Sequence, residues 1–259
     1  MPAVLRRVAM LVTVMVFTGC VYAAESGYCG EKILTFGCDA DFNSKYVWKG
    51  IVINDKPVIQ PVVWLSAYDV TLSIFGNFVQ DNEANRGKFN EFDFTVCYSR
   101  QFMNFTIEPS FEFYTFPNQD ESPDTGMGIL KVSYPVGPVN IFMSHATDLV
   151  NYSPASFSEA GCGTDYDIND RVSASALAYI GAGSSKFNET YTGLTKDAVN
   201  LAGMNFSITY NAAKYFYLRP HVEITSIIDS DLRNQINDPE LNNSLADVSN
   251  IGITMSLEF

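Results

Sequence analysis

The sequence predicts an all-β fold, a transmembrane antiparallel up-and-down β-barrel of about 12 strands preceded by a cleaved signal peptide. Three observations carry that prediction. The last segment, Asn250-Ile-Gly-Ile-Thr-Met-Ser-Leu-Glu-Phe259, alternates apolar and small or polar residues without a fault. Similar segments recur along the chain, while beyond the N-terminal leader no run approaches the roughly 18 to 20 apolar residues of a helical span. The connections between segments are alternately tight and long, which sorts them onto two opposite rims.

The leader comes first. Arg6 and Arg7 precede the apolar run Val8 to Gly19, and Val21-Tyr-Ala23 offers a small-residue cleavage pattern. Cleavage after Ala23 or Ala24 divides the chain into residues 1–24, the signal peptide, and residues 25–259, a single barrel domain. Cys20, behind Thr18-Gly19, is an alternative lipidation site. The 16 Lys+Arg against 29 Asp+Glu give a formal charge of -13, and losing the two leader arginines makes it -15, so a basic nucleic-acid footprint is absent.

The first strand is expected from Ile33 to Trp48, with Leu34, Phe36, Cys38, Ala40 and Phe42 on one face and Thr35, Gly37, Asp39 and Asp41 on the other. Asn54-Asp-Lys-Pro57 is a turn by composition, Val58 to Ser66 returns, and Tyr68-Asp69 reverses tightly into Thr71 to Val79. After the polar connection Gln80 to Gly87, residues 89–99 set Phe92, Phe94, Val96 and Tyr98 against Glu91, Asp93, Thr95 and Cys97. Residues 105–116 set Phe105, Ile107, Phe111 and Phe113 against Glu108, Ser110, Glu112 and Tyr114. A polar loop, Asn118 to Thr125, precedes a hairpin of Gly128 to Tyr134, carrying Lys131, and Val139 to Thr147 about Pro135-Val-Gly-Pro138.

A third loop, Asp148 to Ser156, leads to a weakly patterned strand near residues 157–166, which the even strand count requires. Val172 to Ile180 alternates Ala with Ser, and Gly181 to Asp197 reads as a fourth polar loop. Residues 198–210 set Ala202, Met204, Phe206, Ile208 and Tyr210 against Gly203, Asn205, Ser207 and Thr209. The next strand sets Phe216, Leu218, Val222 and Ile224 against Tyr217, Arg219, His221 and Glu223. Asp229 to Leu245 is the final polar loop before the closing strand, in which Ile251, Ile253, Met255, Leu257 and Phe259 oppose Gly252, Thr254, Ser256 and Glu258. If apolar faces meet lipid, the inward set contains the carboxylates Asp39, Asp41, Glu91, Asp93, Glu108, Glu112 and Glu223, against the bases Lys131 and Arg219. Trp48, Trp64, Tyr68, Tyr98 and Tyr210 are expected in lipid contact or in interfacial girdles.

The closing pattern resembles the C-terminal signal of bacterial outer-membrane barrels, with Gly252 ahead of the alternating Met255 and Leu257 and the chain ending on Phe259. Ser44-Lys-Tyr-Val-Trp-Lys-Gly50, followed by Pro57-Val-Ile-Gln-Pro61, resembles the opening motif of the TorF family of outer-membrane porins. The likeness continues at Asn90-Glu-Phe-Asp93 and Tyr114-Thr-Phe-Pro-Asn118, and Lys49 stands where that family usually has Arg. The resemblance implies one outer-membrane barrel and a channel for small polar solutes. Its partners would be the lipid bilayer of the cell outer membrane and the barrel-assembly machinery during insertion. The inward acids add the expectation that a conducting barrel favours cationic solutes. A non-conducting structural or adhesive barrel and a secreted soluble sandwich or lipocalin-like binder are the alternatives.

Little in the sequence points to an enzyme, a metal or a cofactor. Cys29, Cys38, Cys97 and Cys162 form no CxxC, and the only histidines are His145 and His221, so no zinc or redox motif exists and disulfide pairing stays open. Ser144 and His145 are adjacent, so on a strand they point to opposite faces, whereas His221 could meet Ser207 across neighbouring strands. A Gly-x-Ser-x-Gly elbow is absent.

Overall fold

In the computed structural model, residues 34–80, 86–119, 122–238 and 245–259 are described. The signal peptide, Cys20 and Cys29 lie outside them. In chain order the elements are β1 (Thr35–Asn43), β2 (Tyr46–Trp48), β3 (Ile51–Asn54), β4 (Val58–Ala67), β5 (Val70–Val79), β6 (Lys88–Tyr98), β7 (Arg100–Phe102), β8 (Phe105–Thr115) and β9 (Thr125–Val136). Then follow β10 (Val139–Asp148), β11 (Ser156–Asn169), β12 (Val172–Gly183), α1 (Ser185–Thr192), β13 (Ala198–Ala213), β14 (Phe216–Ile227), α2 (Ser230–Asn237) and β15 (Asp247–Glu258). Twelve of the strands form the wall of one closed barrel, with β7 prolonging β6 past Ser99 and β2–β3 standing apart as a separate small sheet.

Closure follows from the alternation read in the sequence. β15 pairs antiparallel with β1 from Gly37↔Glu258 to Asn43↔Gly252, and β6 pairs with β8, so no wall strand keeps an open edge. Each wall strand is then hydrogen-bonded to a neighbour on both sides, the closed arrangement a lipid-embedded wall requires. At the end of the seam Phe36 and Phe259 exchange backbone hydrogen bonds of 3.1 and 2.9 Å, and the Phe259 ring stacks between Phe36 and Tyr215 at 5.4 and 5.2 Å. The outer surface carries the apolar members of each alternating pair: Phe94, Val96, Met204, Phe206, Ile251 and Met255 are all exposed there. That apolar skin suits lipid and disposes of the soluble sandwich.

One rim is made of two-residue turns, joining Ala67↔Val70, Phe102↔Phe105, Val136↔Val139, Asn169↔Val172 and Ala213↔Phe216. Tyr68 and Asp69 hold φ of 53 and 68°, the mirror-image geometry that matches strand twist in such a turn. The other rim carries all the long connections.

The first strand departs from expectation at Asn43. Residues 46–54 leave the wall and fold back as the β2–β3 hairpin, turned at Lys49 and Gly50 with φ of 50 and 78°. Asn250 makes the corner: its Oδ1 accepts from the Ser44 hydroxyl at 2.9 Å and the Lys45 backbone N–H at 3.1 Å. Tyr46, Val47 and Trp48 are all buried. A Cβ on Gly50 would sit 2.8 Å from Leu201 Cδ2, so glycine serves both the left-handed turn and the close approach.

The two loops read as polar each contain a helix. Ser184 caps α1 by accepting from the Phe187 N–H, and Gly193 ends it at φ 77°. Asp229 caps α2 by accepting from the N–H groups of Asp231 and Leu232. Both helices bury one narrow face, Phe187, Asn188 and Thr192 in α1 and Leu232 and Ile236 in α2.

Trp48 and Trp64 are buried inside the barrel, not in a girdle; Tyr68, Tyr98 and Tyr210 are exposed on its outer surface. Cys97 is disulfide-bonded, while Cys38 and Cys162 carry free, exposed thiols.

Candidate functional site: the barrel lumen and its mouth

The lumen is lined by the polar members of the alternating pairs. Asp39 accepts from the Ser256 hydroxyl, and Asp41 accepts from Thr254 at 3.0 Å and the Asn43 amide at 2.8 Å, with the His221 ring 3.8 Å away. Across the β6–β8 pairing Glu91, Asp93 and Glu112 come together. Glu91 is hydrogen-bonded by the Tyr46 hydroxyl of the hairpin, and Glu112 accepts from Thr95 at 3.2 Å and from the Tyr114 hydroxyl. Asp93 Oδ1 is buried with no hydrogen-bond partner among the described residues. Glu108 stands apart, toward the short-turn rim, accepting from Ser99 at 3.3 Å and paired with Lys131 at 3.5 Å. Glu223 accepts from the Tyr179 hydroxyl at 2.8 Å, and Arg219 is buried four residues before it on β14.

Sequence reasoning missed two lumen features. Glu159 of β11 adds another buried inward carboxylate, concealed because that strand's pattern is weak. A belt of amides also crosses five neighbouring strands: Asn250 donates to Asn43 at 3.1 Å, Asn43 to Gln60 at 2.9 Å, Gln60 to Asn77 at 3.1 Å and Asn77 to Asn90 at 2.7 Å. Asn250, Asn43, Gln60 and Asn77 each both give and take, and Asn90 accepts at the end, so the belt ties β15, β1, β4, β5 and β6 together while keeping that wall polar. The signal was an Asn or Gln at one inward position of each strand.

At the long-loop rim the lumen is closed. One apolar cluster joins Tyr46 and Trp48 of the hairpin, Phe187 of α1 and Leu232 and Ile236 of α2 to wall residues of eight strands, among them Val58 of β4 and Phe157 of β11. β4 and β11 lie six strands apart whichever way the barrel is traversed, so the cluster spans the lumen from wall to wall. Its rings fall in two contacting groups: Trp48 lies 4.9 Å from Tyr191 and 5.8 Å from Phe187, and Phe157 lies 4.8 Å from Phe187, while Tyr46 lies 6.3 Å from Phe75. The result is an apolar septum above an acidic chamber. On the septum's outer side Lys196 bridges to Asp229 at 2.8 Å and Asp231 at 2.6 Å, joining the loop after α1 to the start of α2. The Lys196 ammonium holds the Asp229 carboxyl below its usual range.

At the hairpin tip the Lys49 ammonium is buried inside the septum, 4.8 Å from the Trp48 ring, 4.9 Å from Phe157 and 6.0 Å from Phe187. Burial pushes it down to about 8, against the opposing pull of Glu159 and Glu112 below.

The two histidines make no catalytic dyad. His145 faces outward, its ring 2.8 Å from the Ser158 hydroxyl and 3.0 Å from Thr147, with no carboxylate in that chain of contacts. His221 bonds Asn43 at 3.1 Å, and the Ser207 hydroxyl opposite it on β13 has no partner among the described residues.

No family model matches the chain, and no curated protein matches it. Solved structures do match. The NanC porin superposes with a TM-score of 0.55 at 12% identity, over 86% of this chain and 98% of that one. The chain has the fold of the outer-membrane porins. The KdgM porin gives 0.51 at 11% identity over 87% and 99% of the two chains, and the COG4313 outer-membrane channel from Pseudomonas putida F1 gives 0.50 at 8% over 90% and 97%. At these identities the likeness is one of fold.

Proposed function

We propose that the protein is an outer-membrane channel for small polar solutes, cation-preferring through its acidic chamber, and that the septum is its closed mouth. The observation that carries this reading is the inward grouping of Glu91, Asp93, Glu112, Glu159 and Glu223 inside one low-dielectric wall. Such a wall focuses the potential of its charges, concentrating cations and opposing anions. The long-loop rim then faces outward and the short turns face the periplasm, with the export signal at residues 1–24 and insertion by the barrel-assembly machinery. The TorF resemblance supports the same reading, and its opening motif, Ser44 to Gly50, is the segment that forms the hairpin. A KdgM structure is described in complex with disordered oligogalacturonate, a chain of carboxylates; the acid-rich wall here disfavours that class of solute.

The septum also favours a second reading, a barrel that never conducts. Planar-bilayer recording of the wild type and of a variant whose residues 45–55 are replaced by a Gly-Ser linker separates the two. A channel conducts in at least the variant, with a reversal potential favouring cations at about 0.1 M salt that fades toward 1 M as screening shortens. Neutralising Glu91, Asp93, Glu108 and Glu112 to amides lowers that selectivity while assembly persists. A silent linker variant supports the non-conducting barrel, and anion preference at low salt refutes the role given to the acids.

A further inference from the structure

Lys49 is the unusual side chain of the mouth. A lysine ordinarily uses its flexible stem to return its ammonium to water. Here the left-handed turn at Lys49-Gly50 aims the stem inward, and the ammonium ends among rings supplied by three separate elements: the hairpin, β11 and α1. All three rings lie within the range of attraction between a cation and an aromatic face. Glu159 and Glu112 add negative potential from the chamber side. The cage and the acids thus both favour positive charge at the mouth.

We infer that this ring cage is a binding site for an organic ammonium ion, and that Lys49 occupies it as a tethered stand-in while the mouth is closed. The faces of the rings offer a cation a polarisable surface. They therefore suit an alkylated, weakly hydrated ammonium. A permeating amine displaces Lys49 from the cage, lifts the hairpin tip with it, and passes to the carboxylates beneath. The inference deepens the cation-preferring reading and its role in permeation rests on that reading, but binding at the cage is measured without any current.

The experiment uses the full chain, folded in detergent, with Trp64→Phe so that Trp48 is the remaining reporter, the chain having Trp 2 in all. Lys49→Gly vacates the cage and suits the backbone φ of 50° at that position. Tetramethylammonium and n-butylammonium, titrated separately, should shift Trp48 emission saturably in this variant. Both should bind at least about tenfold more tightly than n-butanol, and at least about tenfold more tightly than they bind with Lys49 in place. Phe157→Leu in the same background should abolish the difference between ammonium and alcohol. Lys49→Ala, scored alongside for heat-modifiable mobility, repeats the test should the glycine variant not fold. No saturable response to either ammonium, or an equal response to n-butanol, overturns the inference even if the barrel conducts cations. Saturable ammonium binding with no bilayer current in any variant leaves the cage standing and removes the channel.

Discussion

Trp48→Ala is the sharpest perturbation of the closed mouth. The indole is buried and touches rings of α1 on two sides, at 4.9 and 5.8 Å. Truncating a buried tryptophan to alanine costs roughly 3 to 5 kcal/mol in a packed core. In this molecule the loss falls on the seating of the hairpin, because β2 and β3 pair only with each other and contribute no ladder to the wall. Tenfold in an equilibrium constant corresponds to about 1.4 kcal/mol, so the ratio of open to closed mouths should rise by roughly two to four orders of magnitude. Single-channel recording reads this as open probability, and heat-modifiable gel mobility should stay unchanged. An unchanged open probability together with a fall in the barrel's own thermal stability would show that the septum is a fixed part of the core and refute the reasoning.

Removing Phe259 should lower the amount of heat-modifiable protein in the outer membrane, since its backbone and ring both fasten the β15–β1 seam; undiminished assembly contradicts that role. Arg at Met204, exposed on the outer face, should cost about 2 to 4 kcal/mol in reversible unfolding from lipid vesicles. Arg at Asn205, on the luminal face of the same strand, should cost less, and the reverse order would interchange the faces. Burial holds Lys49 at about 8 against a usual 10.5, so the closed mouth binds fewer protons than the open one between those values and raising pH through 8 favours closure. Open probability should therefore fall by up to about tenfold from pH 8 to 9 in the wild type and fall less steeply across that interval in Lys49→Met; parallel profiles would remove Lys49 as the source.

Strand number and facing were legible because lipid on one side and polar lumen on the other impose a period of two on every crossing. Even the weak segment near residues 157–166 became β11, its pattern blurred because Gly161, Gly163 and the exposed stretch toward Asn169 carry little apolar contrast. What stayed hidden sits where two patterns overlap. Tyr46-Val-Trp48 alternates poorly but remains apolar, so it reads as more of β1, and only the Asn250 side chain on the closing strand turns it off the wall. The helices were concealed by composition. Phe187 and the Leu232–Ile236 pair are the apolar anchors of otherwise polar stretches, and the caps Ser184 and Asp229 were the available clues. The amide belt was in plain sight as single residues, but its hydrogen bonds join positions far apart in sequence, such as Asn43 and Asn250, that only the closed barrel brings side by side.

Stability and closure are assigned to different parts of this molecule, and on the proposed channel reading that division would allow a rigid wall to carry a movable mouth. The wall is completed by main-chain ladders from β1 round to β15, and the amide belt reinforces the arc on which the hairpin is hung. The loop-borne side of the septum, by contrast, is supplied by Tyr46 and Trp48 of the hairpin, Phe187 of α1 and Leu232 and Ile236 of α2. All of these belong to connections at the long-loop rim, and withdrawing them breaks no bond of the wall ladder. Opening therefore exposes apolar side chains without exposing an unpaired strand edge to lipid, the one cost a membrane barrel cannot bear. The buried charge at Lys49 works in the same direction. Desolvation raises the free energy of the closed state, the cage and the acids beneath offset part of it, and the mouth is left less tightly shut than an all-apolar septum of the same size would be.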